Sequence, residues 1–259
     1  MKKVVGNFPK NKRGQLTIFI IIAIVIVGVA AMIYFLFPGI LVNLGIGASN
    51  PDVFMKSCLE DGIKNSVQTI STQGGSLEPE NYILYKDEKI EFLCYINEDY
   101  KPCVMQQPFL KNHIENEIEG NIQEDVTGCL ETMKENFERQ GYEVSLSSGD
   151  TGVELLPEKL IVTLNTVLTL RKEETQRFEK INVVLNNNLY ELVSIAESIL
   201  NYEATYGDAE TTLYMSYYPH LKVEKPYKET DGTIYVLTDR NTGDKFQFAS
   251  RSVKFPAGY

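Results

Sequence analysis

Residues 16–37 form an uncharged, apolar run close to the amino terminus. The run is 22 residues long. A helix needs about 20 residues to cross the hydrocarbon core of a bilayer, and a single segment satisfies its own backbone groups there only as a helix. The sequence therefore predicts a transmembrane helix over residues 15–37, in contact with membrane lipid.

Basic residues before this run predict its orientation. Lys and Arg beside a span stay in the cytoplasm, so residues 1–14 are predicted to be a cytoplasmic leader and residues 38–259 extracytoplasmic. A cleaved signal peptide is the alternative, but its apolar region is about 7–15 residues and ends at small residues. This run ends instead in Tyr34-Phe35-Leu36-Phe37, which favours a permanent single-pass anchor in the cell membrane. The basic residues are Lys2, Lys3, Lys10, Lys12 and Arg13.

The junction between leader and apolar run carries a family resemblance. Lys12-Arg13-Gly14-Gln15 followed directly by a long apolar segment resembles the amino terminus of archaeal type IV pilins. The resemblance implies cleavage after Gly14, with Gln15 as the first mature residue. Pilins usually carry Glu at the fifth mature position, where this chain has Phe19. We therefore expect an anchored, pilin-like envelope component; the alternative is a processed subunit that assembles into a filament.

Composition divides the remainder of the chain and limits its partners. Residues 38–51, which include three glycines and two prolines, are predicted to be a linker. Residues 52–140 are predicted to form a helical and hairpin subdomain that contains all four cysteines, and residues 141–259 are predicted to form an α+β subdomain.

The charge of the part beyond the leader limits its partners. Without the five leader cations, 20 basic and 35 acidic residues remain, which gives a net charge near −15. Nucleic-acid binding requires basic patches, so we expect protein partners at the cell surface and no nucleic acid.

The cysteines lie at positions 58, 94, 103 and 129, all beyond the predicted span. An even number in an exported domain predicts two disulfides, for which three pairings exist. We favour Cys94–Cys103 across a short loop and Cys58–Cys129 between two helices. Zinc is disfavoured, because the chain has no Cys-x-x-Cys and only two histidines.

Hydrophobic periodicity predicts an α+β fold in which helices pack on antiparallel sheet. Apolar residues at helical spacing predict helices over residues 52–70, 109–139 and 188–206. Gly120 and Gly128 are candidate positions for a break that splits the helix over 109–139 in two. Asn188 and Glu191 are predicted to form a capping box at the start of the helix over 188–206. Strands are predicted from shorter runs. These are residues 82–85, 89–95, 142–147, 160–170, 178–185, 213–218, 221–224, 233–238 and 245–250.

No catalytic or cofactor constellation stands out in the sequence. Asp150-Thr151-Gly152 spells the aspartic-protease triplet, but it has no second copy and lacks the preceding apolar strand, so a turn is predicted. His113 and His220 have no partner placed by a known signature. We therefore expect no enzyme activity, no cofactor and no metal; an exported enzyme is the third and least favoured hypothesis for the function.

A tyrosine-rich segment is the remaining candidate site. Tyr is favoured at protein interfaces and also on half-buried sheet faces, so both interpretations stay open. The residues are Tyr214, Tyr217, Tyr218 and Tyr227. The expected function is structural or interactive, at the cell surface.

Overall fold

A computed structural model describes residues 50–254, together with Ile22 and Val25. Both of those two residues are helical and exposed. The rest of the predicted leader, span and linker lies outside the described residues. In the part that is described, no helix has both the length and the apolar character needed to cross a bilayer. From Asn50 onward the described residues form one compact unit.

Helix α1 (Pro51–Gln73) begins and ends on local signals that the sequence displays. The Asn50 side chain accepts a hydrogen bond from the Asp52 N–H at 2.8 Å, and Pro51 occupies the first turn, where a missing N–H costs nothing. Gly74 ends the helix with a φ of 87°, a conformation that favours glycine. Helix α1 packs through one buried stripe on the sheets and on a second helix, α2 (Leu110–Arg139). The stripe contains Met55, Leu59, Ile63 and Ile70.

Helix α2 (Leu110–Arg139) is continuous over 30 residues, so the predicted break at Gly120 or Gly128 is wrong. Both glycines lie away from the packed face, and a Cβ added at either would have no atom within 4 Å. The apolar stripe Ile114, Ile118 and Ile122 continues through the buried face and holds the helix together. Cys129 extends from α2 to Cys58 on α1, and this disulfide joins the two helices as predicted.

A mixed six-stranded sheet forms the larger β-layer. Its order is β1-β2-β12-β11-β10. Strand β3 pairs with the carboxy-terminal end of β2, beyond the residues that pair with β1. The strands are β1 (Tyr82–Tyr85), β2 (Glu88–Tyr95), β3 (Val104–Met105), β10 (Leu221–Lys228), β11 (Thr233–Asp239) and β12 (Lys245–Arg251). The β2–β12 pair is parallel and joins residues of both predicted subdomains in one sheet. The second disulfide, Cys94–Cys103, links β2 to the loop before β3, also as predicted.

Two three-stranded antiparallel sheets are built from the same three segments of the chain, and each segment contributes one strand to each sheet. One has the order β4-β7-β8 and the other β5-β6-β9. Their strands are β4 (Glu143–Ser147), β5 (Thr151–Leu156), β6 (Lys159–Leu164), β7 (Val167–Arg171), β8 (Thr175–Phe178) and β9 (Ile181–Asn186). The Asp150-Thr151-Gly152 triplet is therefore not a turn, because Thr151 and Gly152 begin β5.

The predicted single strand over residues 160–170 is wrong, since it is broken into β6 and β7. The strand predicted over residues 178–185 is confirmed from Ile181 onward as β9, whereas Phe178 ends β8. The break in residues 160–170 lies at Asn165-Thr166, where the Asn165 N–H donates to the Asp150 carbonyl at 3.0 Å. Gly149 crosses so closely that a Cβ there would lie 2.0 Å from the Asn165 carbonyl oxygen. Buried residues still alternate across the break, so the period of two in the sequence does not reveal it.

Helix α3 (Leu189–Tyr206) packs its apolar face on β12. The predicted capping box is wrong: Asn188 makes no side-chain cap, and Asn187 Oδ1 accepts from the Leu189 N–H at 2.7 Å instead. Residues 213–218 are not a strand but belong to helix α4 (Thr211–Tyr217) and its end. The Glu210 side chain accepts from the Thr212 N–H at 2.9 Å, and this local cap outweighs the strand propensity of Thr and Tyr.

Candidate functional site

A glycine turn after α1 brings Ser76 between β2 and α2. A Cβ on Gly74 would lie 3.0 Å from the Glu91 backbone nitrogen on β2, and a Cβ on Gly75 would lie 3.0 Å from Leu110 at the start of α2. Gly75 also has a φ of 107°, which strongly favours glycine. The turn therefore passes close to both elements, and it places Ser76 beside residues that are 15 and 37 positions away in the chain.

Ser76, Glu91 and His113 form one hydrogen-bonded cluster. The Ser76 hydroxyl donates to Glu91 Oε2, and the same Oγ lies 2.8 Å from His113 Nε2. Ser76 and Glu91 are 6% and 8% exposed, respectively. A hydroxyl has one proton, so when it bonds an ionised Glu91, His113 Nε2 must carry a proton and donate to Oγ. When Glu91 is protonated and donates to Oγ, the hydroxyl proton is free to bond His113.

This cluster lies on the wall of a cavity of about 690 Å³. We call this space the Ser76 cavity. None of the described residues that line it is Lys or Arg. Next to the cluster, Glu117 Oε2 accepts a hydrogen bond from the Leu77 N–H at 2.8 Å. The titratable residues on the wall are Glu78, Glu80, Glu91, His113 and Glu117.

The arrangement has the components of general-base activation but not the order of a serine-protease triad. An imidazole nitrogen within hydrogen-bond distance of a hydroxyl is placed to take its proton. In the triad, the acid orients the imidazole through its second nitrogen, whereas here Glu91 bonds the serine itself. The cluster can therefore pass a proton between Glu91 and His113 through Ser76.

Burial raises the pKa of Glu91 above its ordinary value of 4.5; the hydrogen bond from Ser76 and the nearby His113 oppose this shift. The folded protein therefore takes up this proton at a higher pH than the unfolded chain does. The contribution of Glu91 to stability consequently increases as the pH falls through the raised pKa towards 4.5, and it levels off below that value.

Glu91→Gln tests this assignment, because glutamine resembles the protonated side chain. We expect the variant to flatten the dependence of stability on pH between neutral pH and about pH 4.5, relative to the parent protein. The measurement is the urea midpoint of both proteins at a series of pH values. Equal pH dependence in the two proteins would contradict a raised pKa at Glu91. Glu88→Gln, at an exposed residue of the same strand, is the control.

A second buried polar cluster surrounds Glu203 of α3, which is 2% exposed. Its Oε1 accepts from the Tyr235 hydroxyl and from the Ala209 N–H, and its Oε2 accepts from the Ser250 hydroxyl at 3.0 Å. Its backbone carbonyl accepts from the Ser252 hydroxyl at 2.7 Å. Burial raises the pKa of Glu203, while the three donors to the carboxyl group act in the opposite direction. The cluster therefore ties α3 to β11 and β12.

Lys254 lies close to this second cluster and is 9% exposed. Its Nζ donates to Thr233 Oγ1 at 2.7 Å and to the Gly232 carbonyl at 3.2 Å. Burial lowers the pKa of Lys254, and the nearby Glu203 acts in the opposite direction. Because the polar atoms of Glu203 and Lys254 have hydrogen-bond partners within the protein, we infer that this cluster stabilises the fold.

The structure separates the predicted tyrosines into two groups. Tyr217 and Tyr218 are 81% and 45% exposed, and the Tyr214 hydroxyl lies 3.0 Å from Ser198 Oγ on α3. Tyr227 lies on β10 and donates a hydrogen bond to Asp231, and this bond raises the pKa of Tyr227 to about 12. Its ring is 6.2 Å from the Tyr85 ring.

The predicted pairing of the four cysteines is confirmed, but the Ser76 cluster was missed. Local sequence signals around Ser76 and His113 match no catalytic motif, and only the Gly74-Gly75 pair marked a special turn. His220 is 4.0 Å from Asp239 and belongs to neither buried cluster. Over the described residues, no group of His, Cys, Asp or Glu side chains is arranged to hold a metal ion.

Comparisons with known proteins identify no relative of this chain. No protein-family model matches it, and no curated protein or solved structure shows significant similarity.

Proposed function

We propose that this protein is a single-pass, membrane-anchored cell-surface protein with a structural or interaction role, as a pilin-like envelope component. Residues 1–14 lie in the cytoplasm, residues 15–37 contact membrane lipid, and the domain from Asn50 onward is extracytoplasmic. The observation that carries this proposal is the pair of disulfides. Disulfides persist in oxidising compartments outside the cytoplasm, on the side that the basic leader predicts for this domain.

An exposed aromatic surface supports the interaction role. Helix α4 has no buried residue, and Leu213 and Tyr217 on it are 57% and 81% exposed. On α3, the rings of Tyr202 and Tyr206 lie 5.0 Å apart, and Tyr206 is 72% exposed. The 3.0 Å contact between the Tyr214 hydroxyl and Ser198 Oγ connects α4 with α3, and exposed aromatic side chains favour protein contacts. We propose that this tyrosine surface is where another cell-surface protein binds.

Protease access on intact cells tests the topology. A tag after Tyr259 should be removed by external protease, whereas a tag before Met1 should survive until the cells are lysed. Protection of the carboxy-terminal tag on intact cells would overturn the proposal. The intact mass of the purified protein tests processing separately, because cleavage after Gly14 removes every residue up to and including that glycine.

The alternative function is a processed subunit that assembles into a filament. In pilins the Glu at the fifth mature position pairs with a neighbour inside an apolar bundle, where an unpaired charge is costly. Phe19 lacks that charge, so we expect detergent to release the protein as a discrete species. Long filaments sheared from cells with this chain as their major subunit would favour the alternative instead.

A further inference from the structure

We propose that Ser76 is a nucleophilic serine, that His113 is its general base, and that the Ser76 cavity binds a small ester or amide. This inference goes beyond the proposed function and does not depend on the membrane anchor. It starts from the hydrogen-bonded contact between Ser76 Oγ and His113 Nε2, which is 2.8 Å long and lies on the wall of a cavity of about 690 Å³.

The distance satisfies the geometric requirement for a base. A general base must lie about 2.6–3.2 Å from the atom whose proton it removes. Glu91 influences which way the hydroxyl proton points, because a protonated Glu91 donates to Ser76 Oγ and directs that proton to His113. Ser76 Oγ is therefore held between the Glu91 carboxyl group on β2 and the His113 imidazole on α2, and His113 Nε2 accepts the hydroxyl proton when Glu91 is protonated.

The reaction forms one bond and breaks another. Ser76 Oγ attacks the carbonyl carbon of the substrate, and its proton moves to His113 Nε2. The bond to the leaving group then breaks, and the leaving group departs with the electron pair and takes the proton from His113. The products of this step are the acylated Ser76 and the free alcohol or amine; water then hydrolyses the acyl-serine by the same proton transfers.

The Leu77 N–H is the donor for the oxyanion that develops in this step. The backbone N–H of the residue after a nucleophile serves this purpose in other serine enzymes. Here Glu117 Oε2 occupies that N–H at 2.8 Å. The carboxylate of Glu117 must leave this position before an oxyanion is bound there, so it restrains the reaction in the free protein.

The charge of the cavity selects the substrate. Besides Glu91, which is neutral when it donates to Ser76, three glutamates line it, and none of the described lining residues is Lys or Arg. An ester or amide with a positively charged group is attracted to this wall, whereas an anionic substrate of equal size is repelled. The expected substrate class is therefore a small cationic acyl compound.

A fluorophosphonate tests the nucleophile directly, because a reactive serine displaces its fluoride and keeps the phosphonyl group. The full chain in detergent is treated with the probe, and labelled peptides are identified by mass spectrometry. We expect an adduct on Ser76 in the parent protein, none in Ser76→Ala, and labelling at least about 100-fold slower in His113→Gln. Ser71→Ala, at a buried serine of α1, should label like the parent protein.

Fold is checked in each variant by the melting temperature and by mapping both disulfides. The absence of an adduct on Ser76 in folded parent protein would overturn the proposal, as would unchanged labelling of folded His113→Gln. Should His113→Gln not fold, His113→Asn replaces it in the same comparison. Glu117→Ala frees the Leu77 N–H and should label faster than the parent protein; slower labelling would contradict the oxyanion assignment.

A protection experiment tests the proposed substrate class separately. A choline ester of a short-chain acid should protect Ser76 from the probe at lower concentration than the matching ester with a carboxylate group. Stronger protection by the anionic ester would overturn the proposed preference for cationic substrates.

Discussion

Glu203→Ala is expected to lower the free energy of unfolding by about 3–5 kcal/mol, because three buried donors lose their acceptor. The substitution leaves the hydroxyls of Tyr235 and Ser250 and the N–H of Ala209 without their acceptor. Each buried donor that loses its partner costs about 1–3 kcal/mol. Urea unfolding at neutral pH, followed by circular dichroism, measures the change.

Tyr235→Phe is the graded control for Glu203→Ala. It removes only one hydroxyl and leaves the Glu203 carboxyl group with two donors, so we expect a loss of about 1–2 kcal/mol. The ring remains stacked on Phe248, with 5.1 Å between the ring centroids. A loss below about 1 kcal/mol for Glu203→Ala would show that water replaces the missing acceptor and that the cluster does not stabilise the fold.

Removal of the Cys58–Cys129 disulfide by a double substitution to Ala is expected to cost about 4 kcal/mol. A cross-link between residues 71 positions apart limits the unfolded chain far more than a short loop does, and the loop-entropy relation yields this magnitude. Cys58 is exposed and Cys129 is buried where α1 meets α2, so the two Ala side chains fit without burying a new polar group. Thermal and urea unfolding of the full chain measure the effect.

The Cys94–Cys103 disulfide is the matched control. It closes a loop of only 9 positions, so its removal is expected to cost about 2.5 kcal/mol by the same relation. A larger loss from the short loop than from the long one would contradict the entropic explanation. It would indicate that native contacts near Cys103, such as the 3.0 Å bond from its N–H to Ser252 Oγ, dominate instead.

Helices α1, α2 and α3 could be predicted from local patterns because each has an apolar stripe with a period near 3.6. The same stripes put Cys58 and Cys129 on facing helices, which made their pairing predictable. By contrast, α4 resembled a strand, because its Thr and Tyr residues favour sheets when burial is not known. Its seven residues have no buried member, so packing could not reveal its period.

The sequence by itself determined the acidic composition, the apolar run near the amino terminus and the main helices, since each depends on composition or on short-range spacing. It only favoured the cysteine pairing among three, and the tertiary structure confirmed that pairing. Only the tertiary structure decided where residues 160–170 break, because the break follows from the close crossing of Gly149 and Asn165. The Ser76 cluster likewise became visible only in the tertiary structure. Its members come from the turn after α1, from β2 and from α2, and a hydrogen bond between distant residues leaves no periodic signal in the chain.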